Sequence, residues 1–282
     1  MKNRDMVLAA LTSVVWGFAF VAVKFGLESF SPPQLTAARF LIACLPVFLV
    51  PRPPISWWSV VLIGLTLFAG QFLLLFFAYA QGMPPGLASV TQQMQVFFTV
   101  LLAAAFLREV PNLRQCIGMS VAFAGLALIG LTVGSDVTLL ALGLALGGAL
   151  SWAVGNVLVK RTANVPMFPL VVWCSLIPPA PAVFISRLYG RHAPFLQAAT
   201  NASWLSIGAV VYLGGIATIF AYAAWGYLLQ RYPAAVVAPF ALIAPCTGVL
   251  ASAVVFGEAF APVRYAGMAL ILGGLAVTVL RR

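Results

Sequence analysis

The feature that most constrains this chain is a succession of apolar runs, each about 20 residues long, with no polar block longer than about 15 residues between them. A helix of about 20 apolar residues crosses the ~30 Å hydrocarbon core of a membrane. The composition agrees, with 63% hydrophobic and 7% charged residues, whereas average soluble chains carry about 25% charged residues. So few charges cannot form the polar shell of a soluble domain. The sequence therefore predicts an all-α polytopic membrane protein.

The apolar runs, divided by polar residues and prolines, predict ten transmembrane helices. Their approximate cores are 6–25, 35–50, 58–80, 86–107, 115–134, 139–159, 168–187, 204–229, 234–256 and 264–280. The seventh run contains Pro178, Pro179 and Pro181, and such a break requires neighbouring groups to satisfy the freed carbonyls. No cleavage-site pattern ends the first run, which favours an uncleaved first helix over a signal peptide.

Basic residues stand singly or in pairs at the ends of these runs, as topology determinants do. With the amino terminus inside, the inner set is Lys2, Arg4, Arg52, Arg108, Arg114, Lys160, Arg161, Arg231, Arg281 and Arg282, and the outer set is Lys24, Arg39, Arg187, Arg191 and Arg264. The positive-inside rule therefore predicts that both termini lie in the cytoplasm. Because topology explains the net charge of +10, we expect membrane lipids and no nucleic acid as partners.

The two halves of the chain repeat one pattern. Trp16 and Lys24 recur as Trp152 and Lys160 at an offset of 136 residues, and Glu109 recurs as Glu258 at an offset of 149. The second offset also relates 81–84 to 230–233, 118–119 to 267–268 and 125–127 to 274–276. The sequence thus predicts two five-helix units, residues 1–134 and 135–282. Since five is odd, the second unit enters the membrane from the opposite side, an arrangement typical of secondary transporters with a midplane substrate site.

These residues carry a family resemblance. The Trp…Lys pattern that opens each half, the Pro and small residues that enter each fourth helix, the Glu that ends it and the Gly-x6-Gly of each fifth helix resemble the EamA-type members of the drug/metabolite transporter superfamily. The resemblance covers essentially the whole chain. It implies ten helices in two inverted halves that move small metabolites. The sequence is most similar to bacterial inner-membrane exporters of amino acids such as aromatic amino acids, methionine and threonine.

The inventory of reactive side chains disfavours an enzyme. The five acids, Asp5, Glu28, Glu109, Asp136 and Glu258, lie at predicted membrane borders, and the single histidine, His192, lies in a predicted loop. No HExxH, GxSxG or glycine-rich phosphate loop occurs, and the four cysteines form no CxxC pair. We therefore expect no catalytic residues, metal or cofactor. Coupling either uses a border group such as Glu109 or Glu258 or needs no ion, and the lack of acids at helix centres favours the second.

Polar and aromatic residues inside the predicted membrane are the candidate substrate-binding residues. Gln92, Gln95 and Thr99 share one helical face, on which they either bond neighbouring helices or line a water-filled cavity. The other candidates are Trp16, Tyr79, Trp152, Asn156, Tyr222 and Trp225. Amide, hydroxyl and aromatic walls without a fixed charge suit amphipathic solutes with apolar side chains. Pro239 and Pro245 in the ninth helix are candidate hinges.

The sequence therefore predicts an alternating-access exporter of amino acids or related metabolites, with its substrate in a central cavity between the repeats. The alternatives are a carrier of drug-like cations or sugar metabolites with the same fold and, less favoured, a membrane scaffold or a membrane-embedded enzyme. A stripe of small residues in the sixth helix, Gly143, Gly147, Ser151 and Gly155, allows close helix contact. The sequence leaves open whether the stripe contacts this chain or a second copy, and no oligomer is predicted.

Overall fold

The computed structural model describes residues 1–133, 137–162, 165–188, 193–232 and 234–279. These residues form helices and connecting turns, with no strand among them. The principal helices are α1 Asn3–Gly26, α2 Pro32–Ala43, α3 Trp57–Ala80, α4 Pro85–Leu107, α5 Leu113–Gly130, α6 Leu139–Arg161, α7 Met167–Leu188, α8 Trp204–Arg231, α9 Ala238–Phe256 and α10 Pro262–Val279. The prediction of an all-α polytopic protein is confirmed.

Nine of these helices, within the described ranges, are long and apolar enough to cross a membrane. The exception is α2, which has 12 residues and is followed by a 3-10 turn, Leu45–Phe48. It nevertheless packs inside the bundle against α7 and α8. Short helices also occupy Phe195–Thr200 between α7 and α8 and Ala234–Val237 before α9.

Capping residues explain several helix starts. Asn112 and Gln115 form a reciprocal box at the start of α5, in which each side chain accepts the backbone N–H of the other at 2.9 and 2.8 Å. Gln34 likewise accepts the backbone N–H of Ser31 ahead of α2. A helix start leaves backbone N–H groups unpaired, and unpaired groups are costly near a membrane. Polar side chains at these positions accept hydrogen bonds from those N–H groups.

Helix packing reproduces the sequence repeat. α1 packs on α9 and on α8, and the equivalent helix α6 packs on α4 and on α3. Helices in the same place of each repeat also contact each other, in the pairs α2–α7, α4–α9 and α5–α10. Exchanging the two halves converts each of these contacts into its equivalent, as a pseudo-two-fold axis between the repeats requires. The two-repeat architecture predicted from the sequence is confirmed.

Helical irregularities also recur in matched places. α3 contains a π-helical segment at Gly64–Gly70, and α8 contains one at Tyr212–Phe220. α4 is interrupted between Thr91 and Met94, and α9 changes from a 3-10 helix, Ala238–Leu242, to an α-helix at Ile243. An offset of 149 residues relates both members of each pair. Broken helices in corresponding positions of two halves mark the binding region in many transporters. In α7, the predicted proline break separates Met167–Cys174 from Pro179–Leu188.

Glycines allow a close helix contact between α5 and α10. A Cβ on Gly125 would lie 2.5 Å from the Gly267 carbonyl oxygen, and one on Gly267 would lie 2.7 Å from that of Gly125. Both backbones therefore require glycine at this crossing, which joins the fifth helices of the two repeats.

The small-residue stripe of α6 contacts α3 of the same chain. The Ser151 hydroxyl donates to the Thr66 carbonyl at 2.7 Å, and Gly155 faces Leu67. Gly147 lies near the Leu74 side chain, whereas Gly143 has open space on its Cβ side. The partner that the sequence left open therefore lies within this chain for three of the four residues.

Two basic residues assigned to the outer surface are buried. Arg39 and Arg264 are each 3% exposed. Arg264 donates from Nε to the Thr132 hydroxyl at 3.1 Å, which joins α10 to the end of α5. The expectation that both are surface charges is wrong, because both side chains point into the bundle. Asp136, Arg191, His192, Arg281 and Arg282 lie outside the described residues.

Candidate functional site

A cavity of about 960 Å³ opens at the face of the bundle where α1 and α3 end and α2 and α4 begin. We call this end the Lys24 face, and the opposite end the Lys160 face. The wall combines charged, amide and hydroxyl groups with apolar side chains. It is lined by Lys24, Leu27, Glu28, Ser29, Phe30, Ser31, Pro32, Gln34, Tyr79, Ala80, Gly82, Met83, Pro84, Ala193, Gln197, Ala198, Asn201, Glu258, Ala259 and Phe260.

Glu258 places a carboxylate in the wall of this cavity. One oxygen, Oε2, accepts the Ser252 hydroxyl and the Gly86 backbone N–H, the latter at 3.1 Å. The other, Oε1, is buried, has no hydrogen-bond partner among the described residues, and lies 4.0 Å from the Lys24 ammonium. Gly257, whose φ of 65° ends α9 in the left-handed conformation, turns the chain so that Glu258 faces the start of α4.

The Lys160 face carries the equivalent pair. Lys160 Nζ lies 2.5 Å from Glu109 Oε2, and both side chains are about half exposed, at 54% and 47%. Glu109 also follows a left-handed residue, Arg108, with a φ of 56°. The repeat axis thus brings each lysine to the glutamate of the other repeat.

Three of the predicted site residues meet in one aromatic cluster. Trp16 of α1 contacts Tyr222 and Trp225 of α8, with ring centroids 5.5 and 5.2 Å apart. Phe68 of α3 extends the cluster, with its ring 6.1 Å from that of Tyr222. The Trp16 indole donates to the Ala217 carbonyl at 3.0 Å, inside the π-helical segment of α8. The cluster thus presents apolar surface near the middle of the helices.

Four others belong to an amide network between α4 and α6. Asn156 Nδ2 donates to Gln95 Oε1 and to the Thr99 hydroxyl, both at 3.1 Å. Gln92 donates to the Ala145 carbonyl at 3.0 Å, and its Oε1 is buried without a partner among the described residues. The network supplies the interhelical bonding that the sequence offered as one of two alternatives for this face. Trp152, one turn before Asn156, is half-buried against the main core.

Of the nine predicted substrate-binding residues, Tyr79 lines the 960 Å³ cavity. Its hydroxyl donates to the Phe20 carbonyl at 3.1 Å, which ties α3 to α1 below the opening. The candidate hinges lie at the irregular start of α9. Pro239 belongs to its 3-10 segment, and the Pro245 carbonyl accepts the Ser89 hydroxyl of α4 at 3.2 Å.

The nine candidate substrate-binding residues do not include the charged residues of this cavity. Lys24 and Glu258 place fixed charges in the wall of this cavity, whereas the sequence predicted a central substrate pocket without a fixed charge. Their recurrence in both halves was the available signal. Arg39 is a further buried cation, whose Nε donates to the Thr218 hydroxyl of α8 at 3.1 Å. Its place in an apolar run gave no indication of which way the side chain points.

A two-repeat helical membrane protein with matched helix breaks and a polar cavity at one face belongs to the class of small-molecule transporters. The model of the EamA-like transporter family matches residues 4–131 and 139–280, so the chain belongs to this family.

Relatives agree with this assignment over nearly the full length. The chain is 37% identical to a probable amino-acid metabolite efflux pump of Salmonella typhimurium and 36% identical to one of Escherichia coli, in each case over 99% of this chain and 96% of the relative. A solved crystal structure matches with a TM-score of 0.67 and 22% identity, covering 99% of both chains, which supports the fold. The protein is thus a multi-pass membrane transporter, as the sequence predicted.

Proposed function

We propose that this protein exports amino acids or related metabolites across a bacterial inner membrane by alternating access. The full-length similarity to probable amino-acid metabolite efflux pumps supports the substrate class. Residues 1–134 and 135–282 rock against each other, and each state opens one face of the bundle.

The observation that carries this proposal is the unequal state of two equivalent charge pairs. At the Lys24 face the pair is 4.0 Å apart beside a 960 Å³ cavity, whereas at the Lys160 face it is in direct contact at 2.5 Å. Each pair joins the first helix of one repeat to the end of the fourth helix of the other repeat. If the two pairs exchanged their arrangements, the Lys24 face would close and the Lys160 face would open.

The irregular helices support a substrate position between the two faces. The aromatic cluster contacts the π-helical segment of α8, and the amide network adjoins the break in α4. Helix breaks leave backbone groups available to a ligand and allow local bending. Pro239 and Pro245 act as hinges in this mechanism, because a proline removes a helical hydrogen bond.

Charge distribution supports cytoplasmic termini. Of the five basic residues that this orientation places outside, Arg39 and Arg264 are buried in the bundle and do not act as loop charges. Discounting them strengthens the excess of inner Lys and Arg residues. The Lys24 face is then the periplasmic face, and the cavity opens to the periplasm.

A carrier of organic cations is a second candidate, because Glu258 places a carboxylate in the cavity wall. A buried, partly unpaired carboxylate oxygen suits an ammonium group whether the substrate is a zwitterion or a simple cation.

Counterflow in proteoliposomes tests both candidates. Vesicles loaded with unlabelled phenylalanine, methionine or threonine are diluted into the labelled compound, with and without a pH gradient, and a labelled quaternary ammonium cation is run in parallel. Exchange of an amino acid that requires protein supports the proposal, and stimulation by the gradient would show proton coupling. Exchange of the cation alone would favour the second candidate. Folded protein that exchanges no amino acid would contradict the proposed substrate class.

A further inference from the structure

Arg39 is a buried cation in an apolar part of the bundle. It is the eighth residue of α2, about 10 Å along the helix from Pro32. Its side chain is 3% exposed. Neither of the two ion pairs in the described part of the chain includes it.

The contacts of Arg39 leave most of its donors unused. Nε donates to the Thr218 hydroxyl, and the guanidinium carbon lies 3.9 Å above the centre of the Phe72 ring. A guanidinium carries five N–H donors, of which four are on its terminal nitrogens. Across the described residues, those four have no hydrogen-bond acceptor.

A buried guanidinium without an anion is costly, because burial removes its hydration and only partial compensation comes from a hydroxyl and a ring. Arginines within membrane-spanning regions commonly mark substrate paths for this reason. Arginine is also suited to bind a carboxylate through two parallel N–H···O bonds.

The neighbours of Arg39 indicate the chemistry of the part of a ligand that would lie next to a bound carboxylate. Thr218 lies in the π-helical segment of α8, next to Ala217, which accepts the Trp16 indole. Phe40 and Phe68, with ring centroids 5.2 Å apart, link the surroundings of Arg39 to the aromatic cluster. A carboxylate on Arg39 would thus lie beside an apolar, aromatic surface.

We propose that Arg39 binds the carboxylate of the transported solute, whose apolar side chain packs on the aromatic cluster. The solute class is a small monocarboxylate with an apolar side chain. This inference rests on the proposed function, because it assigns a residue to the amino-acid substrate. Gln34, which lines the open cavity, lies five residues earlier on α2, about 7.5 Å nearer the Lys24 face. Arg39 therefore lies deeper in the bundle than the cavity-lining part of α2.

The first test is competition against uptake of a labelled amino acid by wild-type proteoliposomes. The competitors are phenylalanine and phenylalaninamide, which differ in the carboxylate. Because charge-assisted hydrogen bonds are lost with the amide, we expect it to compete about tenfold to hundredfold less well. In Arg39→Gln the two competitors should become nearly equal. Arg39→Lys should retain part of the preference, since lysine keeps the charge without the bidentate geometry.

Arg264→Gln is the matched control, because Arg264 is equally buried but lies on α10 and bonds Thr132. We expect it to keep the wild-type preference for the acid. A preference unchanged in both Arg39 variants would overturn the inference and leave the exporter proposal standing. If Arg39→Gln does not elute as a monodisperse protein, the lysine variant decides alone.

A second measurement separates the two proposals if the wild type moves no amino acid. Intrinsic tryptophan fluorescence is titrated with 3-phenylpropionate and with its amide, because Trp16 and Trp225 lie in the aromatic cluster. Saturable quenching by the carboxylate that is lost in Arg39→Gln would support the carboxylate site without amino-acid export. Equal responses in both proteins, or no response to the carboxylate in the wild type, would contradict it.

Discussion

The two lysine–glutamate pairs occupy equivalent positions in the repeats but differ in structure. Glu258 is largely enclosed, 11% exposed, and bonded to Ser252 and Gly86, whereas Glu109 is about half exposed and in direct contact with Lys160. Ala103 occupies the position equivalent to Ser252, so Glu109 has no matching hydroxyl. The two pairs repeat one sequence pattern but differ in exposure and in hydrogen bonding. This difference between the two faces favours a structure in which one face is open.

The largest effect should come from covalently locking either pair. In a background with Cys44, Cys116, Cys174 and Cys246 replaced by serine, Lys24→Cys/Glu258→Cys and Lys160→Cys/Glu109→Cys are each joined with a short reducible cross-linker. We expect counterflow to fall to about a tenth or less of its uncross-linked value in both, because each state needs one face open. Reduction should restore it. Full transport by either cross-linked protein would contradict the alternating role of that pair.

A smaller effect should distinguish the two glutamates by their contributions to the stability of the protein. Glu258→Gln weakens charge-assisted hydrogen bonds from Ser252 and Gly86, and we expect it to lower the free energy of unfolding by about 2 kcal/mol. Glu109→Gln removes an exposed ion pair and should cost about 0–1 kcal/mol. Unfolding in mixed detergent micelles measures both. Equal losses would show that enclosure of Glu258 does not distinguish the two sites.

The left-handed residues before the glutamates should respond in opposite directions. Gly257→Ala places a Cβ at a φ of 65° and should destabilise the protein by about 1 kcal/mol. Arg108→Gly relieves the same conformation at a φ of 56° and should raise stability by up to about 1 kcal/mol. The same unfolding assay compares them. Destabilisation by Arg108→Gly would show that the arginine side chain outweighs its backbone strain.

The smallest effect should be that of salt. Ionic strength screens exposed charges more than enclosed ones, so 0.5 M KCl should reduce the difference between wild type and Glu109→Gln by a few tenths of a kcal/mol. The corresponding difference for Glu258→Gln should change less. Repeating the unfolding measurements at low and high salt gives both values, and a larger salt response at Glu258 would reverse the comparison.

The order of the principal helices and their division into two repeats could be predicted from the sequence, whereas the shortness of α2 could not. Hydrophobic run length is a local property that a membrane's thickness makes decisive, and the recurrence of Trp16, Lys24 and Glu109 at constant offsets needs no structure to detect. The proline break of α7 was also predictable, because it follows from local backbone chemistry.

Which side chains face each other depends on how the helices pack. A uniformly apolar helix carries little information about its rotation, so the burial of Arg39 and Arg264 was not predictable from their runs. The partners of Glu109 and Glu258 depend on contacts between repeats that are distant in sequence. Which face is open likewise depends on how the halves pack, since both halves carry the same charged pair.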